Sequence, residues 1–141
     1  MNPLQRVGMG AICLALCIAG DNAMADVVAV VSSQNTVTAL TRSQVVDLFL
    51  GKARRFPNGI VALPIDQAEG SPAREEFYKT FADKSPAQIK AYWSKIVFTG
   101  RGQPPLAVAN GLEMKKRIAA NSAAIGYIDR SLLDASVREI P

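Results

Sequence analysis

An apolar run near the N-terminus sets the terms on which the rest of the chain must fold. Arg6 gives a positive start, Val7 to Ala19 is apolar and uncharged, and Ala23-Met24-Ala25 presents the small residues of a signal-peptidase site. The run is about a dozen residues, roughly 20 Å as a helix, too short for a bilayer core of about 30 Å. Residues 1–25 are expected to be a signal peptide cleaved after Ala25. Residues 26–141 would then be a periplasmic or secreted chain with no integral membrane segment.

Losing 25 of 141 residues leaves 116, the size of one domain. Cys13 and Cys17 both leave with the leader, so the exported part has no thiol to form a disulfide or hold a metal, and its core must hold by packing. The sequence also contains no His, which removes the commonest general base and the usual zinc and copper ligands. Neither an enzyme, a metal site nor a cofactor is expected. The leader carries Arg6 and Asp21, so the net charge of +4 stays with the exported part. That suits an anionic ligand, an acidic partner or simple solubility. Nucleic acid is not expected, because the basic residues are scattered and the few aromatics are not interleaved with them.

Apolar runs and helix caps alternate along the chain. Val27 to Val31 is a continuous β-branched run, as in a strand buried on both faces. Thr41 and Gln44 form a capping box for a helix over 42–50, with Gly51 as its stop and Val45, Leu48 and Phe49 on its inner face. Pro57-Asn58-Gly59 marks a turn before a second strand over 60–65. Ser71 followed by Pro72 starts a helix reaching about Ala82, and Ser85-Pro86-Ala87-Gln88 caps another reaching about Ile96. Thr99 to Pro105 breaks the pattern, Asn110 caps a helix over 111–120, residues 124–128 read as a strand, and 137–140 as a short fourth. The fold class is α/β: one layered domain, 26–141, with a mainly parallel central sheet flanked by helices.

Chemistry is expected where the second strand turns into the Ser71 helix. Ligands gather at the carboxyl edge of such sheets, and a helix N-terminus offers free N–H groups to an anion. Ser71 can add a hydroxyl, or can simply cap its own helix. Arg101, between Gly100 and Gly102, offers a guanidinium beside a flexible backbone. Tyr92, Trp93 and Phe98 read as core at their helical spacing. Asp66 with Glu69 is a carboxylate pair with no neighbour to tune it for catalysis.

In this order, Thr41 to Lys52, Pro64 to Ser71 and Ala124-Ile125-Gly126-Tyr127-Ile128 resemble the periplasmic phosphate-binding proteins of ABC importers. The resemblance implies a type II periplasmic-binding fold, in which two α/β lobes close over an oxyanion held by hydroxyls, an arginine and helix N-terminal amides. This chain has the length of one lobe. Gly70 and Ser71 match the family's turn, but Pro72 and Ala73 stand where a glycine and a threonine are expected, and Gln67 where the arginine sits. The expected site is therefore Gly70, Ser71 and Gln67, with Arg101 added from its charge, holding phosphate or another small oxyanion weakly. The alternative is a ligand-free interaction domain of an envelope, sensory or secretion complex, associating with a protein partner or with itself.

Overall fold

The computed structural model describes residues 26–140, so the expected leader lies outside the described residues. Five strands and four helices follow in the order β1 (Val27–Ser32), α1 (Arg42–Phe49), β2 (Leu63–Gln67), α2 (Pro72–Ala82), α3 (Pro86–Phe98), β3 (Leu106–Val108), α4 (Gly111–Ala120), β4 (Ala124–Asp129) and β5 (Val137–Glu139). The strands form one sheet in the order β3-β2-β4-β1-β5. β2 is parallel to both β3 and β4, whereas β1 is antiparallel to both β4 and β5. Four strands thus point one way, and β1 alone runs against them. The layered α/β domain read from the sequence is the one observed.

Each helix starts where its cap predicts. The Thr41 and Ser85 side chains accept from the backbone of Gln44 and Gln88, whose side chains reach back to the cap backbones. Ser71 and Asn110 accept from the third residue of α2 and α4. Each cap satisfies donors that the helix itself cannot, and is worth about 1 kcal/mol. Gly51, at φ +71°, turns the chain out of α1 in a conformation that glycine adopts without strain.

The two helical layers are assigned by the alternation of β4. Tyr127 stacks on Phe77 of α2, with centroids 4.1 Å apart, while its neighbour Gly126 lies against Met114 and Ile118 of α4. Successive side chains of a strand face opposite sides, so α2 and α4 cover opposite faces of the sheet. Phe49 of α1 joins the α2 side, 4.8 Å from the Phe77 ring. Every residue of β1 is buried, as its unbroken apolar run requires at the middle of a two-faced sheet.

Three expectations shift. The second strand begins at Leu63 rather than residue 60 and continues through Asp66 and Gln67. Ile60 and Val61 remain exposed, Val61 making only an isolated bridge to Arg55. Leu106–Val108, to which the sequence assigns no element, forms a strand, because three residues on the edge of β2 are too few to carry a period. Trp93 is buried as expected, but Phe98 is 92 % exposed at the last position of α3 and is not a core residue.

The close approach of α4 to β4 gives a direct test. A Cβ at position 126 would collide with Met114 Sδ and lie 3.0 Å from Ile118 Cδ1, both on fully buried side chains. Gly126→Ala should lower stability by about 1–3 kcal/mol through overpacking. Urea denaturation measures it, and a loss below about 0.5 kcal/mol would contradict this packing.

Candidate functional site

The carboxyl end of β2 carries two polar residues into the core. Asp66 is 4 % exposed and Gln67 2 %, so every polar atom they hold must find a partner. Asp66 is met from three elements. The Tyr127 hydroxyl from β4 and the Gln67 backbone N–H (2.8 Å) both donate to its Oδ1. The Tyr78 hydroxyl (2.7 Å) and Arg74 Nε (3.4 Å), both from α2, donate to its Oδ2. The Arg74 guanidinium also lies over the Tyr78 ring, 5.2 Å from its centroid.

Gln67 connects this cluster to the start of α2. Its Nε2 donates to the Tyr127 carbonyl (3.1 Å), and its Oε1 accepts from the Ser71 hydroxyl (2.9 Å). Ser71 Oγ in turn accepts from the Arg74 backbone N–H at 3.4 Å, closing the cap. The turn between them is tight: Ser71 N donates to the Ala68 carbonyl, and Gly70 takes φ +88°, which favours a residue without Cβ. Ser71 is half-buried and Gly70 exposed, so this helix end is reachable from solvent although its hydroxyl is already engaged.

The charges here nearly cancel. Arg74 is paired with Asp66, Glu69 faces Lys90 at 3.8 Å, and Glu75 lies in the first turn of α2. An arriving anion would therefore meet backbone amides and one hydroxyl, with no uncommitted guanidinium among these residues. Burial pushes the Tyr78 and Tyr127 phenols far above their ordinary values, and the negative charge of Asp66 and their bonds to it push further the same way. Both stay neutral donors, which suits them to hold a carboxylate rather than to move protons.

Of the residues singled out from the sequence, Gln67 and Ser71 are in direct contact, with Gly70 beside them. Arg101 lies elsewhere, in the wall of a cavity of about 630 Å³ lined in part by Ala62 and Pro64, toward the opposite end of β2 from Gln67. Asp66 and Glu69 do not form a pair, since one is buried among tyrosines and the other exposed. The residues missed were Tyr78, Tyr127 and Arg74. The available signal was Asp66 itself, a charge at the end of an apolar strand that required donors from somewhere. No described helix is long and apolar enough to cross a membrane.

The phenols have a consequence for stability at alkaline pH. Their folded-state pKa values lie above the unfolded value of about 10, so their contribution is complete below pH 10 and is lost as pH rises beyond it. Each phenol should remove up to about 1.4 kcal/mol per pH unit above that point. Urea midpoints between pH 8 and 11 should fall, and Tyr78→Phe or Tyr127→Phe should flatten the fall. An unchanged slope in both variants would contradict the assignment. Asp66→Asn, which leaves Arg74 facing a neutral amide inside the core, should cost about 3 kcal/mol at pH 7.

No protein-family model matches the chain, and no curated protein matches it in sequence. Solved structures do match its fold. A protein assigned as a phosphate ABC transporter substrate-binding protein from Clostridium perfringens, with bound phosphate, aligns at a TM-score of 0.64 and 22 % identity over 82 % of this chain and 44 % of its own. An ABC-type phosphate transport receptor from Vibrio cholerae aligns at the same TM-score and identity, over 82 % of this chain and 45 % of its own. The chain spans less than half the length of these proteins. Its fold is that of one lobe of a periplasmic-binding-protein-like structure.

Proposed function

We propose that this protein is an exported, single-lobe solute-binding domain that takes phosphate or another small oxyanion weakly at the start of α2, in the service of phosphate ABC transport. The observation that carries the reading is the half-buried Ser71 hydroxyl, held by Gln67 at the N-terminus of a helix that begins at the carboxyl end of a parallel strand. Gly70 lets the turn bring backbone amides toward a ligand, Ser71 supplies the hydroxyl, and Gln67 orients it. Arg101, on the wall of a cavity toward the opposite end of β2, adds only to the general positive field. The likeness of the fold to two phosphate-transport proteins supports the same choice of ligand.

Weak binding follows from the same contacts. To donate to a ligand, Ser71 Oγ must leave Gln67 Oε1, giving up about 0.5–1.5 kcal/mol. No charge-assisted bond arrives from position 67, where the family resemblance places an arginine worth about 1.5–3 kcal/mol. Together these reduce affinity by roughly 30-fold to 2,000-fold relative to a site with a free hydroxyl and a guanidinium. Calorimetry should register saturable heat with phosphate on the order of millimolar, and none after Ser71→Ala with the fold checked by circular dichroism. Restoring the family's turn with Pro72→Gly and Ala73→Thr should tighten binding about tenfold through one added hydroxyl. Absence of heat at tens of millimolar phosphate in both the parent and the restored variant would refute the oxyanion reading.

A second reading, an interaction domain that docks an envelope protein or another copy of itself, is favoured by one observation. Ile60, Val61, Leu63 and Leu106 expose roughly half of their apolar side chains, and β3 is an edge strand. Exposed apolar area beside an open strand edge is what a protein partner covers. Light scattering after size exclusion separates the two. A monomer that binds phosphate supports the first reading, and a dimer that does not supports the second.

A further inference from the structure

The cavity of about 630 Å³ that includes Arg101 is built from the end of α1, the loop after it, the approach to β2, the second half of α3 and residues 101–103. Its size is that of a small-molecule site. Leu50, Val61 and Ile96 give it apolar walls, and Arg54, Lys95 and Arg101 are the only charged residues among its described lining. None of the three is in an ion pair among the described residues. Asp47 acts on the cavity residue Tyr92, whose pKa is raised chiefly by burial and secondarily by that charge, but Asp47 does not line the cavity.

Trp93 is the second observation. It lines the same cavity, is 8 % exposed, and its indole N–H is buried with no acceptor among the described residues. The neighbouring donor is satisfied, since the Tyr92 hydroxyl gives its proton to the Leu50 carbonyl at 2.6 Å. A buried unpaired donor costs about 1–3 kcal/mol, and such groups are rare enough in folded proteins that each calls for a reason.

The lining selects among ligand chemistries. An inorganic oxyanion would answer the cations and leave the apolar wall wet. A neutral apolar body would cover the wall and desolvate the cations without a partner. The carboxyl-terminal ends of α1 and α3 at this cavity bring about half a negative charge each, so three full cations leave the balance positive. We infer that this cavity is a second binding site, distinct from the start of α2, for a small organic monocarboxylate with an apolar body of about eight carbons. Its carboxylate lies toward Lys95 and Arg101 and its body against Leu50, Val61 and Ile96.

Trp93 is the sole tryptophan of the chain, so its fluorescence reports on this cavity alone. Octanoate should change the emission saturably, with octanol and inorganic phosphate each at least tenfold weaker. The double variant Lys95→Ala and Arg101→Ala, both at exposed positions, should weaken octanoate at least tenfold while the protein stays folded by circular dichroism. Ser71→Ala should leave the octanoate response intact, which separates this site from the oxyanion site. If octanoate gives no saturable change, if octanol binds as well, or if the double variant binds octanoate like the parent, the inference is overturned and the cations serve only the two helix ends.

Discussion

Asp66 is the group around which the carboxyl edge of the sheet is arranged. A carboxylate 4 % exposed is tolerable only with nearly all its lone pairs satisfied, and here donors arrive from β2, β4 and α2 together. The geometry leaves little freedom. Tyr127 must place its hydroxyl over β2 while its ring stacks on Phe77, and α2 must start close enough for Arg74 and Tyr78 to reach back. The position of the α2 N-terminus is thus set by a buried polar cluster underneath it as much as by apolar packing.

On the proposed reading, the same helix end would serve both as a cap and as a ligand site. Gln67 is fixed by its bond to the Tyr127 carbonyl, and through Oε1 it fixes Ser71. The same hydroxyl caps α2 and is half-buried, so an anion bound there would compete with an internal acceptor of ordinary strength. With a guanidinium at position 67, the internal contact would be a donor and would reinforce a ligand instead of competing with it. The whole difference between strong and weak capture can lie in that one exchange of acceptor for donor.

Much of this architecture was legible because it rests on local rules. Thr41 with Gln44, Ser85 with Gln88, Ser71 before Pro72 and Asn110 all mark helix starts through contacts that span three residues, and all four helices start there. The continuous apolar runs at 27–31 and 124–128 likewise announce central strands. What escaped depends on distance along the chain. The missed partners of Asp66 stand 8, 12 and 61 residues away, the direction of β1 depends on its pairing with β4 and β5, and β3 exists only through its neighbour β2. Arg101 and Ser71 share a charge logic in sequence but not a place in space, because the loop after α3 returns to the opposite end of β2.

The most direct measurement is a titration of the isotopically labelled protein with phosphate, followed by nuclear magnetic resonance at the Gln67 side-chain amide and the backbone amides of Gly70, Ser71 and Ala73. If the anion takes the Ser71 hydroxyl from Gln67, these signals move together with one millimolar dissociation constant, while the amides of Lys95 and Arg101 stay still. Immobile signals around Ser71, or movement confined to the cavity near Arg101, would contradict it.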